Sequence, residues 1–223
     1  MTAWRQVRAR VDAACERAGR APSEVTVVAV SKTHPAEAVR AAAAEGALDF
    51  GENYAQELDG KRAACADLGG LRWHFIGRLQ RNKAKLVAGK VALVHAVDSV
   101  ALAEELARRA EGRVQPILLA VNVAGEATKG GVAAEAAPEL ARAVAGIAGV
   151  RLDGLMTMPP PSDDPEASRP SFAALRELRA RIADALGAPL PVLSMGMSGD
   201  FEVAIACGAT HVRIGTAIFG ARP

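Results

Sequence analysis

A chain of 223 residues, 50% hydrophobic and 23% charged, can bury a full core as one domain, and no linker-like stretch divides it. Its net charge of +2 excludes a strongly polyanion-seeking surface, and no run approaches the roughly eighteen apolar residues of a membrane span. Cys15, Cys65 and Cys207 are odd in number and widely spaced, which disfavours a disulfide framework and a zinc site; they read as small buried hydrophobes, and no metal is expected.

In chain order, the amino terminus mixes charge with apolar residues in a helical rhythm over 3–18, and it lacks the apolar core of a secretory signal, so a cytoplasmic location is expected. The first strand is predicted at 26–31. It ends on Lys32, after which Thr33-His34-Pro35 turns the chain into an Ala-rich helix at 36–45. Further short apolar runs bounded by turn residues predict strands at 48–52, 72–76, 93–97, 115–121, 152–157, 191–195 and 211–214. Ala/Leu/Val stripes flanked by charge predict helices at 101–110, 133–145 and 168–186, and the Pro-rich stretch 158–165 is a loop. Eight strands alternating with helices in a chain of this length predict an α/β protein. A single (β/α)8 barrel over 1–223, with an extra amino-terminal helix, fits better than an open doubly wound sheet, and no GxGxxG follows the first strand.

Barrel enzymes place their chemistry at the carboxyl ends of the strands, so the position of Lys32 is informative. Two readings stand for it from this segment alone: a rim lysine whose stem snorkels, or a partly desolvated amine available for Schiff-base chemistry with an aldehyde. Lysine is scarce, found only at 32, 61, 83, 85, 90 and 129 in an arginine-biased chain, which favours the amine weakly. After the seventh strand, Ser194-Met195-Gly196-Met197-Ser198-Gly199-Asp200 offers hydroxyls and backbone N–H groups to a phosphate. After the eighth, Arg213-Ile214-Gly215-Thr216 offers a glycine that admits close backbone approach and another hydroxyl. Where the barrel closes, this cup would neighbour Lys32. The ligand so suggested carries both an aldehyde and a phosphate: pyridoxal 5′-phosphate.

Taken together, Val30-Ser31-Lys32-Thr33, Phe50-Gly51-Glu52-Asn53-Tyr54, His74-Phe75-Ile76-Gly77 with Leu79-Gln80 and Asn82-Lys83, Gly154-Leu155-Met156-Thr157-Met158, Ser194-Met195-Gly196-Met197-Ser198 and Arg213-Ile214-Gly215-Thr216 resemble the YggS/PROSC family of pyridoxal phosphate homeostasis proteins. The resemblance runs from about residue 26 to residue 222. It implies a fold-type III cofactor barrel in which Lys32 forms the internal aldimine, Arg213 faces the pyridine nitrogen, Ser194 or Ser198 with Gly215 and Thr216 holds the phosphate, and Asn53 lies near the cofactor. A cation beside the ring nitrogen disfavours pyridinium formation and makes the cofactor a poorer electron sink. Position 34 is His where lysine is frequent in the family.

The same barrel is similar to the amino-terminal domain of alanine racemases, so an enzyme reading stands beside the carrier one. Racemisation needs an acid and a base on opposite faces of the substrate. In alanine racemases the second face is served by a tyrosine brought by an additional β-domain and a dimer partner; here the sole tyrosine is Tyr54, and no carboxy-terminal β-domain is expected. The expectation is therefore a monomeric, non-catalytic carrier that holds pyridoxal 5′-phosphate and buffers it or delivers it to recipient apo-enzymes, with a low-activity amino-acid racemase or lyase as runner-up. Neither nucleic acid nor membrane is an expected partner. The basic cluster Arg78, Arg81, Lys83 and Lys85 reads as a solvated helical face. His95 and His211 read as hydrogen-bonded structural histidines, His74 receives no role, Lys129 reads as a loop lysine near the site or at a solvated turn, and 196–200 lacks the GxSxG spacing of a nucleophile elbow.

Overall fold

The computed structural model describes residues 2–125 and 130–221. Lys129 lies outside them. Strands β1 (Thr26–Val30), β2 (Asp49–Glu52), β3 (Arg72–Phe75), β4 (Leu93–Val97), β5 (Gln115–Asn122), β7 (Val150–Met156), β8 (Val192–Ser194) and β9 (His211–Ile214) follow one another around a closed parallel ring. Pairing of β4 with β5 joins the two halves, and β1 lies between β2 and β9. The expected barrel is present. A ninth strand, β6 (Val132–Ala133), stands outside the ring and pairs with the end of β5, Val121 opposite Val132.

That added strand corrects the expected helix at 133–145. Residues 132–133 are drawn into pairing, and the helix α5 (Ala137–Ala145) begins only where Pro138 occupies its first turn, the position at which a missing N–H costs nothing. The other helices are α1 (Ala3–Arg17), α2 (Ala36–Ala44), α3 (Ala55–Ala64), α4 (Val100–Arg109), α6 (Arg169–Leu186), α7 (Phe201–Ala206) and α8 (Thr216–Phe219). Helix α1 buries Val7, Val11, Ala14 and Cys15, a helical stripe, and packs on α7 and α8 at the side of the barrel. The Arg20 guanidinium donates to the Ile205 and Ala209 carbonyls, satisfying backbone oxygens at the end of α7. All three cysteines are buried and free.

Side chains alternate along each strand, so the ring has two cores. Val27, Ala29, Phe50, Leu193, Val212 and Ile214 face outward into the layer shared with the helices. The opposite set faces the barrel axis: a Cβ on Gly51 would meet the side chains of Val28, Ile76 and Val30. By the same alternation Ser31 faces the helices while Lys32 turns toward the barrel mouth. The inner set is unusually polar, because Asp49, His74, His95, Ser194 and Arg213 are all buried within it.

Candidate functional site

A cavity of about 390 Å³ opens at the carboxyl ends of the strands. Lys32, Asn53, Ser198, Arg213, Gly215 and Thr216 line it together, with His34 and Arg78 at its edge. Ser194 does not line it. The serine is fully buried one layer lower, where its Oγ contacts His95 Nδ1 at 2.8 Å and accepts from Arg213 Nη1 at 2.7 Å.

The chain around Lys32 is held from the outer side. Ser31 Oγ donates to Glu52 Oε1 at 2.6 Å, and Lys61 Nζ donates to the Ser31 carbonyl at 2.6 Å, to Glu52 Oε1 at 2.7 Å and to Glu57 Oε1 at 2.6 Å. Glu57 Oε1 in turn accepts the Thr33 N–H at 2.6 Å. Both neighbours of Lys32 are thus tied to one ion-pair cluster. Thr33 has φ of 66°, a left-handed conformation that disfavours a β-branched residue and persists only because its surroundings over-determine it. Burial raises the Glu52 carboxyl above its ordinary pKa, opposed by the hydrogen bonds from Lys61 and Ser31.

Asn53 is placed by a close approach between two strand ends. A Cβ on Gly77 would stand 2.2 Å from the Asn53 carbonyl oxygen, so only glycine lets the two loops meet there. The amide oxygen Oδ1 of Asn53 is buried and accepts no hydrogen bond from the protein. An unpartnered buried acceptor in the wall of a cavity fits a ligand that brings a donor.

Two strands along the ring from β2, Arg213 is fixed by Ser194 and by the Thr157 carbonyl, which Nη2 meets at 2.9 Å. Burial lowers its pKa to about 10, which leaves it a cation at neutral pH. Ser198 Oγ accepts the Ala217 N–H at 3.3 Å, joining the loop after β8 to the first turn of α8. Asp200 stiffens that loop by accepting from Met197 N at 2.7 Å and from Ser168 Oγ at 2.8 Å. Small residues, hydroxyls and the start of a helical turn make a cup suited to an anion, beside Lys32 on the adjacent strand end and next to Arg213 on β9.

Sequence reasoning did not find Lys61 and Glu57, nor what Glu52 does. A signal was available: Glu57 and Lys61 form an i,i+4 pair, and Glu52 ends an otherwise apolar strand. Arg78, Arg81 and Lys85 are exposed, on and just before a 3₁₀ turn over Arg81–Leu86, as expected of a solvated face, although Arg78 also reaches the cavity rim.

Residues 4–223 match the family described as alanine racemase, N-terminal domain. A pyridoxal phosphate homeostasis protein of Pseudomonas aeruginosa is 50% identical over 219 residues, covering 97% of this chain and 93% of the relative. The chain belongs to this family. One from Aquifex aeolicus is 48% identical, with 97% and 96% covered, and one from Escherichia coli K12 is 43% identical, with 97% and 94% covered. Among solved structures, PipY of Synechococcus elongatus, described with PLP bound, superposes with TM-score 0.83 at 36% identity, covering 94% of this chain and 99% of PipY. Alanine racemase from Corynebacterium glutamicum superposes with TM-score 0.69 at 20% identity over 97% of this chain and 61% of the racemase, which establishes a shared barrel and nothing more.

Proposed function

We propose that this chain binds pyridoxal 5′-phosphate in the cavity, holds it covalently on Lys32, and buffers it or delivers it to recipient apo-enzymes without turnover of its own. One observation carries the reading: a lysine, a buried arginine and a hydroxyl-lined anion cup converge on a single cavity in a chain similar, over nearly its whole length, to a protein described with PLP bound. When bound, the cofactor supplies an aldehyde and an electron-accepting ring. Ser198, Gly215 and Thr216 hold the phosphate. Asn53 offers its unpartnered Oδ1 to a donor on the ring's substituents. Arg213, a cation at neutral pH, would face the ring nitrogen and disfavour its protonation, which would weaken the ring as an electron sink.

The cluster of Glu52, Glu57 and Lys61 orients the tether through Ser31 and Thr33 and takes no part in proton transfer at the cavity, because it faces the helices. A racemase needs a second acid–base group on the other face of the substrate. Tyr54 does not supply it: its side chain is exposed and lies in a neighbouring cleft outside the cavity. Carriage therefore fits better than catalysis. Among the described residues no helix is long and apolar enough to cross a membrane, and we take the protein to act as a cytoplasmic monomer.

The test has two arms. Loaded protein incubated with single amino-acid enantiomers in deuterated water is expected to show no Cα exchange at catalytic rates, and the same protein mixed with an apo-enzyme is expected to restore that enzyme's activity. Rapid exchange or scrambling would overturn the carrier reading.

A further inference from the structure

Beneath the cavity floor the barrel holds buried polar groups that the proposed binding role leaves unexplained. Asp49, His74, His95 and Ser194, from β2, β3, β4 and β8, form one continuous chain with Arg213 on β9. His74 Nε2 lies 3.0 Å from Asp49 Oδ1, His74 Nδ1 lies 3.0 Å from His95 Nε2, and His95 Nδ1 lies 2.8 Å from Ser194 Oγ, which Arg213 Nη1 meets at 2.7 Å. Asp49 also accepts from Arg72 Nε at 2.7 Å. The Asp49–Arg72 pair lines a second cavity, of about 500 Å³, with Arg8 and Asp12 at the strands' amino ends, on the face opposite the cofactor cavity.

The two ends of the chain dictate its direction. An arginine can only donate and an ionised carboxylate can only accept. With both imidazoles neutral, one assignment satisfies every contact: Arg213 donates to Ser194, Ser194 to His95 Nδ1, His95 Nε2–H to His74 Nδ1, and His74 Nε2–H to Asp49. A proton added to His74 breaks this order. His74 Nδ1 would then donate, His95 would have to accept at Nε2 and donate from Nδ1, and the Ser194 oxygen would accept from both His95 and Arg213, leaving its own O–H without an acceptor in the chain.

We propose that Asp49, His74, His95 and Ser194 form a one-way hydrogen-bond relay that positions Arg213 and couples the cofactor cavity to the Asp49–Arg72 pair on the opposite face. These are positioning residues, because none but Arg213 lines the cofactor cavity. Among the described residues His211 also packs against the relay, its ring 5.9 Å from that of His74 and 6.1 Å from that of His95, Lys32 shares the cavity with Arg213, and Asp200 acts electrostatically on Arg213. Burial and the neighbouring His74, His211 and Arg213 push His95 well below the ordinary histidine value, in keeping with a neutral ring. What Arg213 does to the cofactor rests on the function proposed above; the relay itself does not.

The experiment is nitrogen-15 NMR of the imidazole and guanidinium groups in the protein without added cofactor, at neutral pH, for the wild type and for Asp49→Ala. In the wild type both His74 and His95 are expected as neutral rings protonated at Nε2. In Asp49→Ala the Arg213 guanidinium and His95 resonances are expected to move, although four hydrogen bonds separate Arg213 from Asp49. A Nδ1–H tautomer at either histidine, a charged His74, or Arg213 signals indifferent to a folded Asp49→Ala would each overturn the relay. Ser194→Ala guards against an unfolded variant, since it should change the Arg213 and His95 signals together. In protein loaded with pyridoxal phosphate, Asp49→Ala should move the pH midpoint of the visible band by about half a unit, a roughly threefold change in proton affinity. Failure to load would count against the proposed function while leaving the tautomer result to decide the relay.

Discussion

At the scale of single residues, Lys61 carries the sharpest consequence. It is 6% exposed and Glu52 is fully buried, so their ion pair is cut off from solvent. Removing one partner of such a pair leaves a buried charge without compensation, and Lys61→Met is expected to cost about 3 kcal/mol by urea denaturation. The double variant Glu52→Leu with Lys61→Met should recover part of that stability, because two apolar groups replace the buried pair while Ser31 and Glu57 still lose their partners. It should still load pyridoxal phosphate more slowly than wild type, since Ser31 and Thr33 lose the groups that pin them beside Lys32. A double variant no more stable than Lys61→Met would contradict the account of the pair. Lys32 itself was partly legible from sequence, because it follows an apolar strand in a chain poor in lysine. The cluster that orients it was not. Glu57 and Lys61 share helix α3, but Glu52 ends β2 and Ser31 follows β1, and nothing in linear spacing joins Ser31 to Lys61.

At the scale of elements, the strands were legible wherever the barrel buries them on both faces, since Thr26–Val30 and Leu93–Val97 then read as short apolar runs. Helix α3 was not legible. Its buried positions are Ala55, Leu58 and Lys61, so a lysine occupies the stripe where the hydrophobic rhythm should continue. Two glycines near this helix separate local propensity from packing. Gly60 has open space around its Cβ position, and Gly60→Ala should stabilise the protein by about 0.5–1 kcal/mol. Gly77→Ala would drive a methyl group into the Asn53 backbone and should destabilise by about 1–3 kcal/mol while weakening cofactor binding. Thermal melts and cofactor titrations on the two variants check this, and equal effects would show that Gly77 does not set the position of Asn53.

At the scale of the whole molecule, the ring of polar side chains inside the barrel makes stability depend on pH. Burial, then the neighbouring His74, lowers His211 to about 4, and His95 is held lower than the ordinary 6.5 by burial first. For such groups the unfolded chain binds protons that the folded barrel refuses, so stability falls as pH drops from about 6.5 toward 4. At pH 5 His211 accounts for up to about 2 kcal/mol of that loss, and His95 adds to it in the same direction. Burial pushes the Asp49 carboxyl up, but hydrogen bonds from His74 and Arg72 together outweigh it and leave it below its ordinary value, so its contribution is lost only at lower pH. Urea midpoints at pH 7 and pH 5 read the effect directly, and equal midpoints would mean that the interior histidines titrate freely. Alternation along the strands places these side chains inside once the barrel is known. Their contacts depend on how the strands are staggered around the ring, which no single strand's sequence records.

The central claim is that Lys32 is the tether for pyridoxal 5′-phosphate. Protein loaded with the cofactor, reduced with borohydride and digested should carry the added mass on the peptide containing Lys32, and Lys32→Ala should fold yet show neither the adduct nor the visible band. Protein that takes up no cofactor, or one that carries the adduct on another lysine with Lys32→Ala loading as well as wild type, would contradict it.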